Sequence, residues 1–204
     1  MRQATIIDPE AEAAEIYRFA GADLYDPPGG PALVRLALGD GAVLLTSGLR
    51  TDAEYRPDRR AICVRRGLDP IELNFLLCHE LAEWWCTELG YDRPNREWVC
   101  NRIAARLIAP SPAVRAALKA TVGTPEALAA WFACSETVAA LRRGEVSGRP
   151  LVVVDPAWLM AAGDPWAWPP EPTLRSIAAC RLVVPEIERY ALTDAPRRAL
   201  LVAA

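Results

Sequence analysis

The sequence predicts an α+β fold in which a small β-sheet precedes a set of packed helices. Apolar residues recur at helical spacing over 70–88, 96–109 and 124–144. A short stretch with β-branched residues, 59–68, lies before these segments and is typical of a strand. Hydrophobic residues make up 52% of the 204 residues, a share that allows a buried core.

The first predicted helix lies near the N-terminus, in the sequence DPEAEAAEIYRFAGAD. Asp8 can cap its first turn, and Pro9 suits the first helical position because its missing N–H has no helical partner there. Gly21 follows the last apolar position and is typical of a helix end. The break YDPPGGP comes next and is rich in turn-forming residues.

After this break, two apolar runs flank the turn sequence GDG in residues 32–48, ALVRLALGDGAVLLTSG. Apolar runs around such a turn predict a β-hairpin. The stretch 59–68 is expected to add one more strand. Helices then follow over 69–88, 96–109, 111–120 and, as a pair with a turn near 133–135, within 124–144. Ser135 is a suitable N-cap for the second member of that pair.

From Arg149 onward the character of the chain changes. Residues 149–154 and 181–192 predict strands on either side of a segment rich in proline and tryptophan. We therefore expect two units: a main domain over 1–148 and a small β-containing C-terminal extension over 149–204.

The composition argues against several classes of protein. The net charge of −3 lacks the basic footprint of a dedicated nucleic-acid binder. No apolar run approaches 18 residues, and the acidic N-terminus is unlike a signal peptide, so a cytoplasmic protein without membrane contact is expected. The six cysteines form no CxxC pair and are expected to be buried free thiols.

The single histidine of the chain lies in the sequence NFLLCHELAEWW. On a helix, His79 and Glu83 share a face, so they can offer a nitrogen and a carboxylate to one point. Glu80 lies about 100° around the helix, where it can reach a water bound at that point. This is the geometry by which H-E-x-x-H binds zinc in peptidases, with glutamate in place of the second histidine. The spacing alone leaves open a histidine that is simply paired with its own i+4 carboxylate.

A third ligand would come from the next helix. Glu97 lies at its start, and Asn101 shares its face four residues later, where it can hold the second ring nitrogen of His79. Glu88 is closer to His79 in sequence, but it falls where the helix predicted over 69–88 ends, so it is a weaker candidate for the third ligand.

These two segments together resemble the ImmA/IrrE family of metallopeptidases, also known as DUF955. The resemblance rests on FLLCHELAEWW followed by REWVCNRIAARLIAP, whose register matches the family pattern E-x-x-A-N-x-F-A-A-x-L-L-x-P. It covers roughly residues 55–155 and implies a zincin-like metallopeptidase domain. It also implies that His79 and Glu97 bind metal, that Glu80 is the general base, and that the substrate is a DNA-binding repressor cut in a stress or mobile-element response.

Glu83 departs from the family pattern, which has histidine at its position. With His79, Glu83 and Glu97 around a divalent ion, the formal charge falls from about +1 to about zero, so the ion becomes a weaker Lewis acid. Zn²⁺ accepts carboxylates, and the harder donor set moves preference toward Mn²⁺. An altered peptidase, a metal site without turnover and an empty site all remain open. Cys78 and Cys100 are alternative ligands, although Cys78 should point away from the face of His79.

Two other functions compete with a peptidase. One is an inactive relative that binds a protein partner, expected to be a helix-turn-helix repressor. The other is a DNA-binding regulator, because 124–143 has the pattern of a helix-turn-helix whose second helix carries Arg142 and Arg143. Packing is favoured for that pair, since Leu128, Trp131, Phe132, Val138 and Leu141 suit a helical interface.

Three smaller predictions concern surface and loop residues. Tyr91 and Arg93, between the two site helices, are candidates to steady an oxyanion. The basic run Arg56, Arg59, Arg60, Arg65 and Arg66 is expected to be a solvated strand edge. Trp158, Trp166 and Trp168 lie in the Pro-rich segment and suit either a partner surface or a packed loop.

Overall fold

The computed structural model of the protein describes residues 7–120, 123–148, 151–154, 187–191 and 199–203, the last three ranges as backbone only. Its fold is α+β. The described residues form seven helices: α1 (Pro9–Ala20), α2 (Gly30–Leu38), α3 (Pro70–Glu88), α4 (Arg96–Ile108), α5 (Ser111–Ala120), α6 (Pro125–Phe132) and α7 (Glu136–Ser147). The strands before α3 are β1 (Val43–Thr46), β2 (Ala53–Arg56) and β3 (Ala61–Arg65).

Local capping explains where the predicted helices begin and end. The side chain of Asp8 accepts a hydrogen bond from the N–H of Glu10, and Gly21 ends α1 with a φ of 66°. Asp69 caps α3 in the same way, by accepting from the N–H of Ile71. Ser135 caps α7 by accepting from the N–H of Val138. The caps Asp8 and Ser135 and the helix end at Gly21 agree with the sequence-based expectations.

The predicted hairpin over 32–48 is wrong. Its first half is the helix α2, which buries Leu33, Val34 and Ala37 on one face, a helical spacing rather than a strand alternation. Its second half forms β1, which pairs in parallel with β3 and has no hairpin partner. The GDG turn therefore joins a helix to a strand.

β3 is the central strand of a three-stranded sheet in the order β1-β3-β2. β2 pairs with β3 in the antiparallel sense, with Tyr55 opposite Ile62, and forms an edge of the sheet. The sequence did not predict β2, because only Ala53 of its four residues is buried and no alternation is visible. β2 also packs alongside α3, which brings a sheet edge next to the helix that carries His79.

The core lies between α3, α4, α1 and α2, with α3 against α4 as its main contact. Leu77, Leu81, Ile103 and Leu107 are fully buried between these helices. From α1, the hydroxyl of Tyr17 donates to the carbonyl oxygen of Leu107 at 2.6 Å. This packing fixes the relative position of α3 and α4, the two helices that carry the site residues.

The pair α6 and α7 packs onto the helical domain. Leu128, Phe132 and Val138 are buried, as expected, but Trp131 is 57% exposed, so its predicted place in the core is wrong. Arg142 is only 1% exposed and donates to the carbonyl oxygen of Ala109 at 2.8 Å. Because it is buried, Arg142 cannot reach a DNA backbone in this arrangement, which removes half of the basic pair proposed for a recognition helix.

A second sheet comes from the backbone of β4 (Leu151–Val154), β5 (Ile187–Ala191) and β6 (Ala199–Ala203). These strands are antiparallel in the order β4-β6-β5. β4 and β5 lie within the two predicted strand stretches, and β6 was not predicted. The division of the chain at 148 and 149 stays a prediction, and Trp158, Trp166 and Trp168 lie outside the described residues. None of the described helices is long and apolar enough to cross a membrane.

Candidate metal centre

His79 lies in the middle of α3, one turn before Glu83, with its side chain 12% exposed. Its Nδ1 lies 2.9 Å from Oδ1 of Asn101 on α4. Because that bond engages Nδ1, Nε2 is the nitrogen available to a ligand. Nε2 lies 3.6 Å from Oε1 of Glu97, so the imidazole spans the gap between the two helices.

Glu97 and Asn101 lie one turn apart on α4 and interact with each other as well as with His79. The side-chain amide of Asn101 donates to Oε1 of Glu97 at 3.3 Å. Asn101 is buried, whereas the side chain of Glu97 is 59% exposed. One amide group therefore orients both the imidazole and a carboxylate that faces solvent.

His79, Glu83 and Glu97 each offer one ligand atom, and these three atoms lie within 4.8 Å of one another. Around a tetrahedral zinc with bonds of 2.0–2.1 Å, ligand atoms are about 3.3 Å apart. The distance of 3.6 Å between His79 and Glu97 already suits that geometry. The donor set of one imidazole and two carboxylates also suits Zn²⁺ or Mn²⁺. The residues present therefore fit a divalent ion, with ligand atoms that need only close from within 4.8 Å of one another to this spacing.

Glu80 follows His79 on α3 and contacts the sheet. Its Oε2 accepts a hydrogen bond from the backbone N–H of Tyr55, on the edge strand β2, at 2.6 Å. Burial raises the pKa of Glu80, and the Glu83 and Glu97 carboxylates raise it further, while His79 and the Tyr55 N–H act in the opposite direction. A raised pKa moves a carboxyl group toward the range in which a residue can both accept and return a proton.

Glu83 has a second partner that the sequence did not predict. The Nη2 of Arg96, the first residue of α4, lies 2.5 Å from Oε2 of Glu83. The same nitrogen donates to the carbonyl oxygen of Glu83 at 2.9 Å and to Oγ1 of Thr87 at 2.8 Å. Burial acts to lower the pKa of Arg96, but the Glu83 carboxylate outweighs it and the pKa is raised. Glu83 is thus part of an ion pair as well as part of the candidate metal group.

These side chains open onto one cavity of about 790 Å³. One wall is the loop before β2 together with β2 itself, and the other is formed by α3 and the start of α4. The cavity contains both the cations Arg50, Arg56 and Arg96 and the carboxylates Glu54, Glu80, Glu83 and Glu97.

Several other predicted candidates do not join the group. Glu88 is exposed at the end of α3 and is not one of the three residues of the metal group. The hydroxyl of Tyr91 donates to Oδ1 of Asn95, and neither Tyr91 nor Arg93 lines the cavity. Cys78 is fully buried away from the cavity, and its burial raises the pKa of its thiol to about 12.

Cys100, the other candidate thiol, has a cysteine partner. Its Sγ lies 3.7 Å from Sγ of Cys86 on α3. All five cysteines of the described residues are buried and free of disulfides, as the sequence analysis expected for this part of the chain. The sixth, Cys180, lies outside the described residues.

The basic residues on and after β2 and β3 behave as expected of a solvated edge. Arg56, Arg59, Arg60, Arg65 and Arg66 are all exposed. Arg56 pairs with Glu54 at 3.0 Å and Arg65 with Asp52 at 2.6 Å. Such exposed pairs add little to stability.

Sequence reasoning missed Arg96 and the Tyr55 backbone because both depend on tertiary contacts. A signal for Arg96 does exist in the sequence. Where a glutamate replaces a neutral ligand, a nearby cation is expected to balance it, and Arg96 directly precedes Glu97.

Known proteins resemble this chain both in sequence and in fold. Residues 40–143 match the Peptidase_M78 family, described as the IrrE N-terminal-like domain. Among solved structures, a Mycobacterium tuberculosis transcriptional regulator superposes with a TM-score of 0.58 at 17% sequence identity. The match covers 91% of this chain but 65% of that one, and at this identity it shows a shared fold. The comparison with curated proteins gave no match.

Proposed function

This chain belongs to the Peptidase_M78 family of IrrE N-terminal-like domains, and on that premise we propose that it is a metal-dependent endopeptidase acting on a DNA-binding transcriptional repressor. The cleavage would belong to a stress or mobile-element response. One observation carries the proposal: an imidazole and two carboxylates from α3 and α4 approach a single point, and Glu80 lines the same cavity.

In this proposal His79, Glu83 and Glu97 hold Zn²⁺ or Mn²⁺. When bound, the ion would supply Lewis acidity to the scissile carbonyl group and to a water molecule. Glu80 takes a proton from that water and passes it to the leaving amine. Its bond to the Tyr55 N–H engages Oε2 and leaves Oε1 for the proton. Asn101 engages Nδ1 of the imidazole, which would leave Nε2 to bind the ion.

The cavity supports a polypeptide substrate because it is open along the edge strand β2. An edge strand offers unpaired backbone groups to an extended segment. The mixture of cations and carboxylates in its walls suits a polar peptide rather than an apolar ligand.

A second function is favoured by the ion pair between Arg96 and Glu83. In that case the protein keeps the fold, and with or without a metal it binds a repressor without cutting it. The Glu83 carboxylate, held by Arg96, would then be a structural element of the site.

The two functions are separated by cleavage and metal content measured together. The purified chain, loaded with Zn²⁺ or with Mn²⁺, is incubated with a helix-turn-helix repressor encoded beside its gene. We expect a single metal-dependent cut that Glu80→Gln abolishes while metal content is retained. Glu88→Gln removes an exposed carboxylate from the same helix and should cut normally. Stoichiometric metal and repressor binding without any cut would support the second function instead.

A further inference from the structure

The pair formed by Arg96 and Glu83 is the feature of this site that differs most from what the sequence motif predicts. Both side chains are about a quarter exposed, at 26% and 25%. Arg96 Nη2 makes three contacts within one turn of α3, to Glu83 Oε2, the Glu83 carbonyl oxygen and Thr87 Oγ1. The guanidinium group is therefore held at one place beside the candidate ligands.

The contact with Glu83 uses one carboxylate oxygen. Arg96 engages Oε2, and a carboxylate has a second oxygen with its own lone pairs. A carboxylate can thus bridge a guanidinium and a metal ion at once. The ion pair restricts where Oε1 can lie, as partners of ligands do in other metal sites.

Formal charges explain why a cation belongs here. A divalent ion with one glutamate and neutral histidines carries about +1, and a second glutamate lowers this to about zero. Arg96 adds one positive charge directly to that second glutamate. The sum of ion, ligands and Arg96 is again about +1.

We propose that Arg96 is a positioning residue that makes Glu83 usable as a ligand by holding its Oε2 and by restoring the net charge of the site. This inference rests on the proposed function, since it assumes an ion between His79, Glu83 and Glu97. It makes Glu83 and Arg96 a matched pair, so neither can be exchanged alone without harm to the site.

Partial burial of the Arg96 guanidinium makes Arg96 depend more strongly on Glu83. Arg96 Nε is buried without a hydrogen-bond partner among the described residues, so the guanidinium depends on Nη2 for its interactions. If histidine replaces Glu83, the sequence regains H-E-x-x-H, but Arg96 loses its counter-charge next to a dication. Removing one partner of a partly buried pair leaves an uncompensated charge. Restoring the common motif should therefore impair the site unless Arg96 is also changed.

A double-mutant cycle tests this with the full chain in four forms: wild type, Glu83→His, Arg96→Gln and both together. Zn²⁺ dissociation constants are measured by competition with a chromophoric chelator, and the thermal midpoint of each apo form in excess chelator reports folding. Arg96→Gln should weaken Zn²⁺ binding in wild type but strengthen it in the Glu83→His background, with a difference between the two effects of about tenfold, a coupling of the size found for partners of metal ligands. Equal effects in the two backgrounds would overturn the inference.

Two further variants separate charge from structure. Arg96→Lys keeps the positive charge, so it should retain wild-type affinity but fail to rescue Glu83→His. Arg93→Gln removes an exposed arginine from the preceding loop and should leave affinity unchanged in both backgrounds. Equal rescue of Glu83→His by Arg96→Lys and Arg96→Gln would show that the positive charge at this position does not matter, and would also overturn the inference.

The cycle distinguishes this inference from the proposed function. Zn²⁺ binding with additive effects removes the role of Arg96 and leaves the peptidase proposal standing. If all four folded proteins fail to bind Zn²⁺ or Mn²⁺, the peptidase proposal fails and the inference fails with it.

Discussion

Oδ1 of Asn101 lies 2.9 Å from Nδ1 of His79, across the interface of α3 and α4. The amide nitrogen of the same side chain donates to Glu97. A single residue thus orients two of the three candidate ligands. Partners of this kind fix which ring nitrogen is free, and they hold the ring in the direction that a metal needs.

Asn101→Ala should therefore weaken Zn²⁺ binding by about 10- to 100-fold. The measurement is chelator competition on apo protein whose circular dichroism matches the wild type. Asn95→Ala is the matched control, because Asn95 is an exposed amide whose side chain accepts a hydrogen bond from the loop residue Tyr91. Unchanged affinity in Asn101→Ala would mean that the ring of His79 is not oriented through this bond.

Helix periodicity explains why much of the candidate site could be predicted. The spacing of His79 and Glu83 puts them on one face of α3, and that of Glu97 and Asn101 puts them on one face of α4. Each of these pairs lies within one helix, so its spacing can be seen in the sequence. The contact of Glu80 with β2 and that of Glu83 with Arg96 join separate elements, and no spacing rule encodes them.

The same distinction applies to the fold. Caps such as Asp8 and Ser135 act within three residues, and they marked the helix starts correctly. The error at 32–48 arose because a short apolar run suits a strand or a helix equally well. What decides in favour of α2 is its packing on α3, where Gly30 allows the two helices to approach closely.

Gly30 provides a direct test of that packing. Its N–H donates to Oδ1 of Asn74 at 2.6 Å, and an added Cβ would lie 2.7 Å from the backbone oxygen of Asn74 and 3.3 Å from Sγ of Cys78. Backbone cannot yield as a flexible side chain does, so α2 must shift away from α3. Gly30→Ala should lower the free energy of unfolding by about 1–3 kcal/mol, the usual cost of overpacking.

The stability of Gly30→Ala is measured by urea denaturation, with tryptophan fluorescence as the signal that reports unfolding. Gly48→Ala is its control, because an added Cβ at Gly48 would meet no atom within 4 Å. If both variants unfold at the same urea concentration as the wild type, the close approach of α2 and α3 is incorrect.

Glu10 links the N-terminal helix to the buried arginines. Its Oε2 lies 3.0 Å from Nε of Arg106 and 3.3 Å from Nη2 of Arg142. Burial acts to raise the pKa of Glu10, but a hydrogen bond with Ser111 and the charges of Arg142 and Arg106 outweigh it, so the pKa lies below its ordinary value of 4.5. A carboxyl group with a lowered pKa in the folded state adds stability above its unfolded pKa, and loses it as the pH falls through the folded value.

Glu10→Gln should therefore lower the thermal midpoint at pH 7, and the difference from wild type should shrink as the pH falls below 4.5. Glu15→Gln removes a carboxylate from an exposed pair with Arg18 on the same helix, so it should change the midpoint little at any pH. A difference for Glu10→Gln that stays constant from pH 7 to pH 3 would contradict an electrostatic role for Glu10.

Cys86 and Cys100 test the distance between the two site helices directly. Their sulfur atoms lie 3.7 Å apart, and both side chains are buried. The hydrogen bond from Cys100 lowers the pKa of Cys86. Burial opposes this shift and Arg96 adds to it, so Cys86 is the thiol expected to form a thiolate first.

Treatment of native protein with the oxidant diamide should join Cys86 and Cys100, because the two thiols lose two hydrogens to the diazene and form one disulfide. Peptide mass spectrometry without reduction should show a crosslink between the α3 and α4 peptides, absent in Cys100→Ser. A crosslink of Cys86 to a cysteine other than Cys100 would show that α3 and α4 do not face each other as described, and the positions of His79 and Glu97 would then have to be revised.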